Sequence, residues 1–226
     1  MGLSMNAEIQ KYIENLKSPF KDVRLTAASS LGAFDTEETI SALIEALDDE
    51  KWEVRRAAIE SLGNMKAMAA VPRLLACLDD PEWRVRQGAA FALGYIGEES
   101  AHEKLILLLK QDKEWRVRQG CAYALSNFPG SKTINAITEA LSDGDWHVQV
   151  QAAESLGIIG NLLSEKPLKD ALPSADPRMK LVINIALKKI SRKNKPVGKA
   201  KTEKTTGITR QKLEKMKNQC RGCKDE

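Results

Sequence analysis

The chain has 226 residues, of which 42% are hydrophobic, 29% charged and 5% aromatic. Its mean hydropathy is −0.36, and no apolar run approaches the roughly 18–20 residues of a membrane-spanning helix. The formal net charge of +4 conceals a division: residues 1–187 hold 21 Lys and Arg against 27 Asp and Glu, whereas residues 188–226 hold 14 against 4.

An acidic body with a basic end is a statement about partners, not about fold. With 14 Gly, 8 Pro and much Ala, Leu, Glu and Lys, the composition points to an all-α chain. Four cysteines are too few for a disulfide scaffold. Residues 1–12 carry no basic-then-apolar leader pattern, and the expected location is cytoplasmic.

Along the chain one pattern recurs. Trp52, Trp83, Trp115 and Trp146 are spaced by 31, 32 and 31 residues, each followed two positions on by Val54, Val85, Val117 or Val148. Val23 extends the series one unit earlier and Met179 one unit later. Gly32, Gly63, Gly94 and Gly157 close their units, with Ser126 in that place in the fourth. Six units fit, and a period of this length means a repeat array.

Each unit reads as two helices. Ser18-Pro19 opens the second helix of the first unit. In the third, Val71 to Leu78 is an apolar segment with Leu74, Leu75 and Leu78 at helical spacing. Asp79-Asp80-Pro81-Glu82 follows, with Asp80 as expected N-cap and Pro81 as first helical residue. The second helix runs to about Ile96, and Val85, Ala89, Ala92, Leu93 and Ile96 share one side of it. One such hairpin cannot bury its own face, so the units must stack into an all-α solenoid. Gly88 and Gly120, at the unit boundary, are expected to let helices approach closely.

Residues 79–97 (DDPEWRVRQGAAFALGYIG) resemble the short HEAT-like repeat of the phycobilisome-lyase type, and the resemblance covers roughly residues 6–190. It implies a superhelix of about six stacked hairpins, with the second helices lining the concave surface. It is specific for fold and unspecific for function. The family also implies a ladder between units, built from an Asp and an Arg six positions apart. The matching positions are Asp49/Arg55, Asp80/Arg86 and Asp112/Arg118. Asp143/Gln149, Ser18/Arg24 and Ser174/Lys180 imply weakening toward both ends.

A catalytic or metal constellation is not legible. A related di-iron hydroxylase uses several His-Glu pairs on its second helices, but here those positions, near Arg55, Arg86, Arg118 and Val148, carry none. His102 and His147 are too few for such a centre. Cys77 and Cys121 lie in apolar helical patterns as core residues. Cys220 and Cys223 form a lone Cys-x-x-Cys, short of the four ligands zinc needs, so they read as tail thiols or as half of a site shared with a partner. No phosphate loop or nucleophile elbow appears. The expectation is a non-enzyme without cofactor or metal.

Binding is the remaining function class. Opposite the buried stripe stand Arg84, Gln87, Phe91 and Tyr95 in the third unit and Arg116, Gln119, Tyr123 and Asn127 in the fourth. Glu60 and Glu154 flank them. Arg and aromatic side chains on a central surface are what protein-binding hot spots use. The expected concave binding face is therefore Trp83, Arg84, Gln87, Phe91, Trp115, Arg116, Gln119 and Tyr123, and the expected partner is a protein or peptide.

The expected division is a solenoid over 1–190 and a basic, largely disordered tail over 191–226. The tail offers an alternative reading, weak nucleic-acid contact through phosphates. It has no aromatic residue for base stacking. Folding of the tail onto the acidic body is a third possibility. The family resemblance alone suggests an accessory role in cofactor attachment.

Overall fold

The computed structural model describes residues 2–194; the expectations for the tail beyond Asn194, including Cys220 and Cys223, lie outside them. Twelve α-helices and no strand occur among the described residues. They form six hairpins. The first helices are α1 (Gly2–Asn15), α3 (Glu37–Glu45), α5 (Val71–Cys77), α7 (His102–Gln111), α9 (Ser131–Ala140) and α11 (Leu162–Ala171). The second helices are α2 (Lys21–Leu31), α4 (Trp52–Asn64), α6 (Trp83–Ile96), α8 (Trp115–Leu125), α10 (Trp146–Ile159) and α12 (Pro177–Lys193).

The Ala-rich stripe explains how the hairpins stack. Val85, Ala89 and Leu93 are fully buried, Ala92 nearly so, and Ile96 is half-buried. Successive second helices pack against one another along their length, while successive first helices touch over short stretches. The stack therefore curves with its second helices on the inside.

The closest approaches to the backbone of a neighbouring helix occur at three of the unit-closing glycines. A Cβ on Gly94 would stand 2.7 Å from Ala124 Cα, one on Gly63 2.8 Å from Ala92 Cβ, and one on Gly157 3.0 Å from Ala186 Cα. The expectation for Gly88 was misplaced: a Cβ there would meet only Ile59 and Arg56 side chains at 3.6 and 3.8 Å. Gly120 is tighter, but its nearest contact is the Gln87 side chain at 3.1 Å, with the Gln87 carbonyl at an ordinary 3.7 Å. These two glycines face the inner groove. Two buried serines add backbone ties, with Ser61 Oγ donating to the Ala28 carbonyl at 2.9 Å and Ser155 Oγ to that of Ala122 at 2.8 Å.

The Asp-Pro turn also differs from expectation. α6 begins at Trp83, and Glu82, not Asp80, is its cap, accepting from Arg84 N at 3.3 Å. Asp80 instead accepts from Glu82 N at 2.8 Å and from Arg55, closing the turn that precedes the helix. Ser18 plays a similar part, accepting from Phe20 N at 3.2 Å before α2 starts at Lys21. The expected Asp-Pro helix start is realised at Asp176-Pro177, where Asp176 accepts from Arg178 N and Met179 N.

Four rungs tie the hairpins together. Arg24 reaches Asp49, Arg55 reaches Asp80, Arg86 reaches Asp112 and Arg118 reaches Asp143, each through two nitrogens at 2.6–3.0 Å. The third nitrogen of each Arg donates to a carbonyl six residues back in its own unit. Each Arg thus spans two units with all three of its nitrogens engaged, two of them in the bidentate geometry that makes guanidinium–carboxylate pairs strong. The ladder is not weakened at its first unit, because Ser18 needs no preceding Arg and Arg24 makes a full rung. It ends at Gln149, whose amide keeps only the bond to the Asp143 carbonyl, at 2.6 Å.

Candidate functional site

The inner face has two rows. The outer row is built where the second helices begin. The Arg84 guanidinium lies 4.8 Å from the Trp52 ring centre and 4.4 Å from that of Trp83. Arg116 lies 4.9 Å from Trp83 and 4.3 Å from Trp115. His147 continues the stack, 4.4 Å from Trp115 and tilted by 20°, with Trp146 edge-on at 5.5 Å. Glu82, Glu114 and Asp145 pair with Arg84, Arg116 and His147 at 2.8, 2.8 and 3.1 Å. In the second unit the same place is held by Glu53, paired with Lys21 at 3.0 Å. The interleaving follows from the 31-residue period, which sets each Arg beside the Trp of the preceding unit as well as its own.

The structure therefore brings Trp83, Arg84, Trp115 and Arg116 together as one alternating stack. A cation over a ring contributes about 0.5–2 kcal/mol, and here each arginine has rings and a carboxylate at once. These arginines are occupied by the protein itself. The recurrence of Glu-Trp-Arg at 82–84 and 114–116 marks the repeated set of residues, while the second ring over each arginine comes from the neighbouring unit.

The inner row lies one and two turns further along the same helices. Gln87 Nε2 donates to the Arg116 carbonyl at 3.1 Å. Gln87 and Phe91 lean over Gly120, where a Cβ would meet them at 3.1 and 3.7 Å. Tyr123 packs edge-on against Phe91 at 5.4 Å and against Tyr95 at 6.2 Å. The neighbouring Tyr95 hydroxyl, helped by burial, pushes the Tyr123 hydroxyl up from its ordinary value. Gln119 is half-buried beside Gly120. Between α6 and α8 the groove is thus filled by the protein's own side chains.

Between α4 and α6 it is open. A cavity of about 200 Å³ is lined by Arg56, Glu60, Asn64, Gln87, Phe91 and Tyr95, with Gly63, Gly88 and Ala92 among its walls. The cause is a pair of substitutions within the repeat. Arg56 and Glu60 stand where Gln87 and Phe91 stand 31 residues later. Glu60 turns to Arg56 Nε at 2.8 Å instead of lying over Gly88 as Phe91 lies over Gly120. Sequence reasoning placed Glu60 as a flanking charge and missed the hollow, which depends on two neighbouring units at once.

A scan of the sequence matches a family model described as HEAT repeats over residues 9–94, 71–136 and 103–188. The chain belongs to the HEAT-repeat family. Solved structures agree on the fold. This HEAT array is similar to a chain of the complex of CpcE and CpcF of phycocyanin lyase from Nostoc sp. PCC7120, at 22% identity and TM-score 0.62, covering 92% of each chain. It is similar to a designed armadillo repeat protein in complex with the peptide (KR)4, at 20% identity and TM-score 0.59, covering 81% and 99%. An engineered protein matches at 23% identity and TM-score 0.56, covering 81% and 98%. No curated protein matches by sequence.

The remaining chemistry-bearing residues of the HEAT array lie off the inner face. His102 is buried, with Nε2 2.7 Å from Thr133 Oγ1 and its ring stacked on Phe128. Thr133 in turn donates to the Phe128 carbonyl at 2.6 Å. Cys77 and Cys121 are buried free thiols. Burial pushes Cys77 up to about 11 and Cys121 higher still, which makes both poor nucleophiles. Among the described residues no three His, Cys, Asp or Glu converge as a metal set would. Nor is any described helix long and apolar enough to cross a membrane. The splayed first helices leave two wider clefts of about 490 Å³, beside α1 and α3 and beside α5 and α7. They are furrows between hairpins and gather no nucleophile–base pair.

Proposed function

We propose that the solenoid is a non-catalytic protein- or peptide-binding scaffold that takes an extended partner along its inner face across α4, α6 and α8. The observation that carries this reading is the α4/α6 hollow, open to the groove and continuous in sequence register with the filled aromatic site beside it. A cavity of about 200 Å³ is below the roughly 300–1,000 Å³ of small-molecule sites. It suits one side chain of a longer ligand whose backbone is held elsewhere. Gln87, Phe91, Gln119 and Tyr123 form the contact row, while Trp83, Arg84, Trp115 and Arg116 form the rim that fixes it. Structural neighbours of this fold include a protein in complex with a peptide and a chain in complex with a second protein, which supports the class of function. The solenoid over 1–190 carries the activity, and the basic segment 191–226 is a separate element.

The test is selection of peptides from a displayed random library on the immobilised protein, followed by titration of the selected peptides. The expected result is binding that falls by roughly tenfold or more in Phe91→Ala with Tyr123→Ala, the range of aromatic hot spots. Peptides that bind that double variant as well as the parent would overturn the inner-face reading.

A further inference from the structure

The α4/α6 hollow also has a chemical character. Its polar wall is made of Glu60, Gln87 and Asn64, with the Arg56 guanidinium beside them. Glu60 uses one carboxylate oxygen for Arg56 Nε, and the other has no partner among the described residues. Gln87 commits one amide N–H to the Arg116 carbonyl, which leaves its acceptor oxygen and its second N–H without a partner among the described residues. Its apolar wall is the Phe91 and Tyr95 rings. A carboxylate beside aromatic rings is also what this protein places around Arg84 and around Arg116, where each guanidinium lies over two Trp rings and pairs with a glutamate at 2.8 Å. The hollow supplies the same two components, and its own guanidinium, that of Arg56, holds Glu60 without lying over the Phe91 or Tyr95 ring. Arg56 does not fill that place, because it meets Glu60 from one turn back on the same helix, at i and i+4.

We propose that this hollow is a specificity pocket for an arginine side chain of a bound peptide, a proposal that rests on the inner-face reading above. The guanidinium stacks on Phe91 or Tyr95 and donates to the free oxygen of Glu60 and to the Gln87 amide oxygen. Arginine fits better than lysine, because its planar fork stacks flat on a ring while its edge donates to a carboxylate and an amide oxygen, whereas an ammonium is a strongly hydrated point charge without that fork. The surrounding charge favours the same ligand. The body over residues 1–187 has six more acidic than basic residues, which draws a basic peptide toward the groove and makes its association fall with salt.

The experiment measures peptides selected as above in three forms, with arginine, lysine or citrulline at the anchor position. Binding is compared on the parent, Glu60→Gln and Glu60→Phe. Glu60→Gln removes the charge and keeps the hollow. Glu60→Phe fills the hollow as Phe91 fills the neighbouring one. Glu60 is exposed, and thermal melts of both variants verify folding. The expected result is an arginine-containing consensus, weakened roughly tenfold by citrulline and by Glu60→Gln, less by lysine, and abolished by Glu60→Phe. Selected peptides that lack arginine, or that lose binding with Glu60→Phe but keep it with Glu60→Gln, would overturn the arginine assignment while leaving the groove in place. Peptides indifferent to both Glu60 variants and to loss of Phe91 and Tyr123 would overturn both readings.

Discussion

Arg86 joins Asp112 across 26 residues of sequence, with Nε and Nη2 on its two carboxylate oxygens at 2.8 and 3.0 Å. The Asp112 side chain is 4% exposed and that of Arg86 9%, so neither end has water to fall back on. The pair sits at the centre of a ladder whose neighbours repeat it. Removing one partner strands the other, and the cost of a stranded buried charge exceeds the net worth of the intact pair. Arg86→Ala is expected to destabilise by about 3 kcal/mol. The double variant with Asp112→Ala should recover part of that loss. Urea unfolding followed by circular dichroism measures both, and strict additivity would show that the rung carries no coupling.

The ladder also sets an acid limit. Burial by itself would push the Asp49 and Asp143 carboxyls up, but Arg24 and Arg118, with backbone N–H groups at Lys51 and Asp145, outweigh it and hold both below their ordinary value. A carboxylate whose folded value is depressed contributes stability above the unfolded value, about 3.8 here, and loses it as pH falls through the folded one. The thermal midpoint should stay level from pH 7 to about pH 5 and drop below about pH 4. Asp143→Asn should be less stable at neutral pH and show a shallower acid decline. Equal acid slopes for the variant and the parent would remove Asp143 from this account.

Two glycines on one helix should behave in opposite ways. A Cβ on Gly94 would lie 2.7 Å from Ala124 Cα, and backbone cannot step aside as a flexible side chain can. Gly94→Ala is expected to cost about 1–3 kcal/mol through overpacking. A Cβ on Gly88 would make only ordinary contacts at 3.6 and 3.8 Å. Gly88→Ala should then stabilise α6 by about 0.5–1 kcal/mol, the usual gain of Ala over Gly inside a helix. Thermal melts of the two variants side by side are decisive, and a loss at Gly88 equal to that at Gly94 would contradict the assigned spacing.

How these features stood in the sequence follows from how many units each involves. The hairpins, their period and their buried stripe are local and recur, so Trp52, Trp83, Trp115 and Trp146 with their valines were enough to set the architecture. The close-approach role fell on Gly88 and Gly120 because they adjoin the apolar stripe. The roles separate only when the facing helix is known, and Ala92, Ala124 and Ala186 are what face Gly63, Gly94 and Gly157. The same holds on the inner face. Arg84 and Arg116 read as free hooks on a single wheel, yet each lies over the Trp of the unit before it. The hollow beside Phe91 is the product of Glu60 in one hairpin and Gly88 in the next, and neither residue is unusual on its own.

The last hairpin should open before the others. Gln149 stands in place of the ladder arginine, so no rung crosses from the fifth unit to the sixth. Pro167 lies inside α11, where its ring removes one intrahelical hydrogen bond. Leu162, Leu163, Leu181 and Ile185 are exposed on α11 and α12, so these helices gain less from burial than their composition allows. Each effect lowers the free energy of local opening without touching the central units, and solenoid units are coupled mainly to their neighbours. Amide hydrogen exchange should be faster in α11 and α12 than in α4, α6 and α8. Gln149→Arg with Ser174→Asp would restore the matching pair of residue types at this junction and should slow exchange in both helices. Protection in α11 and α12 equal to that of the central helices in the parent chain would show that Ile183, Ala186 and Ile190 packed against α10, with the bonds of Lys193 and Asn194 to the Ile158 and Gly160 carbonyls, hold the end of the array without a rung.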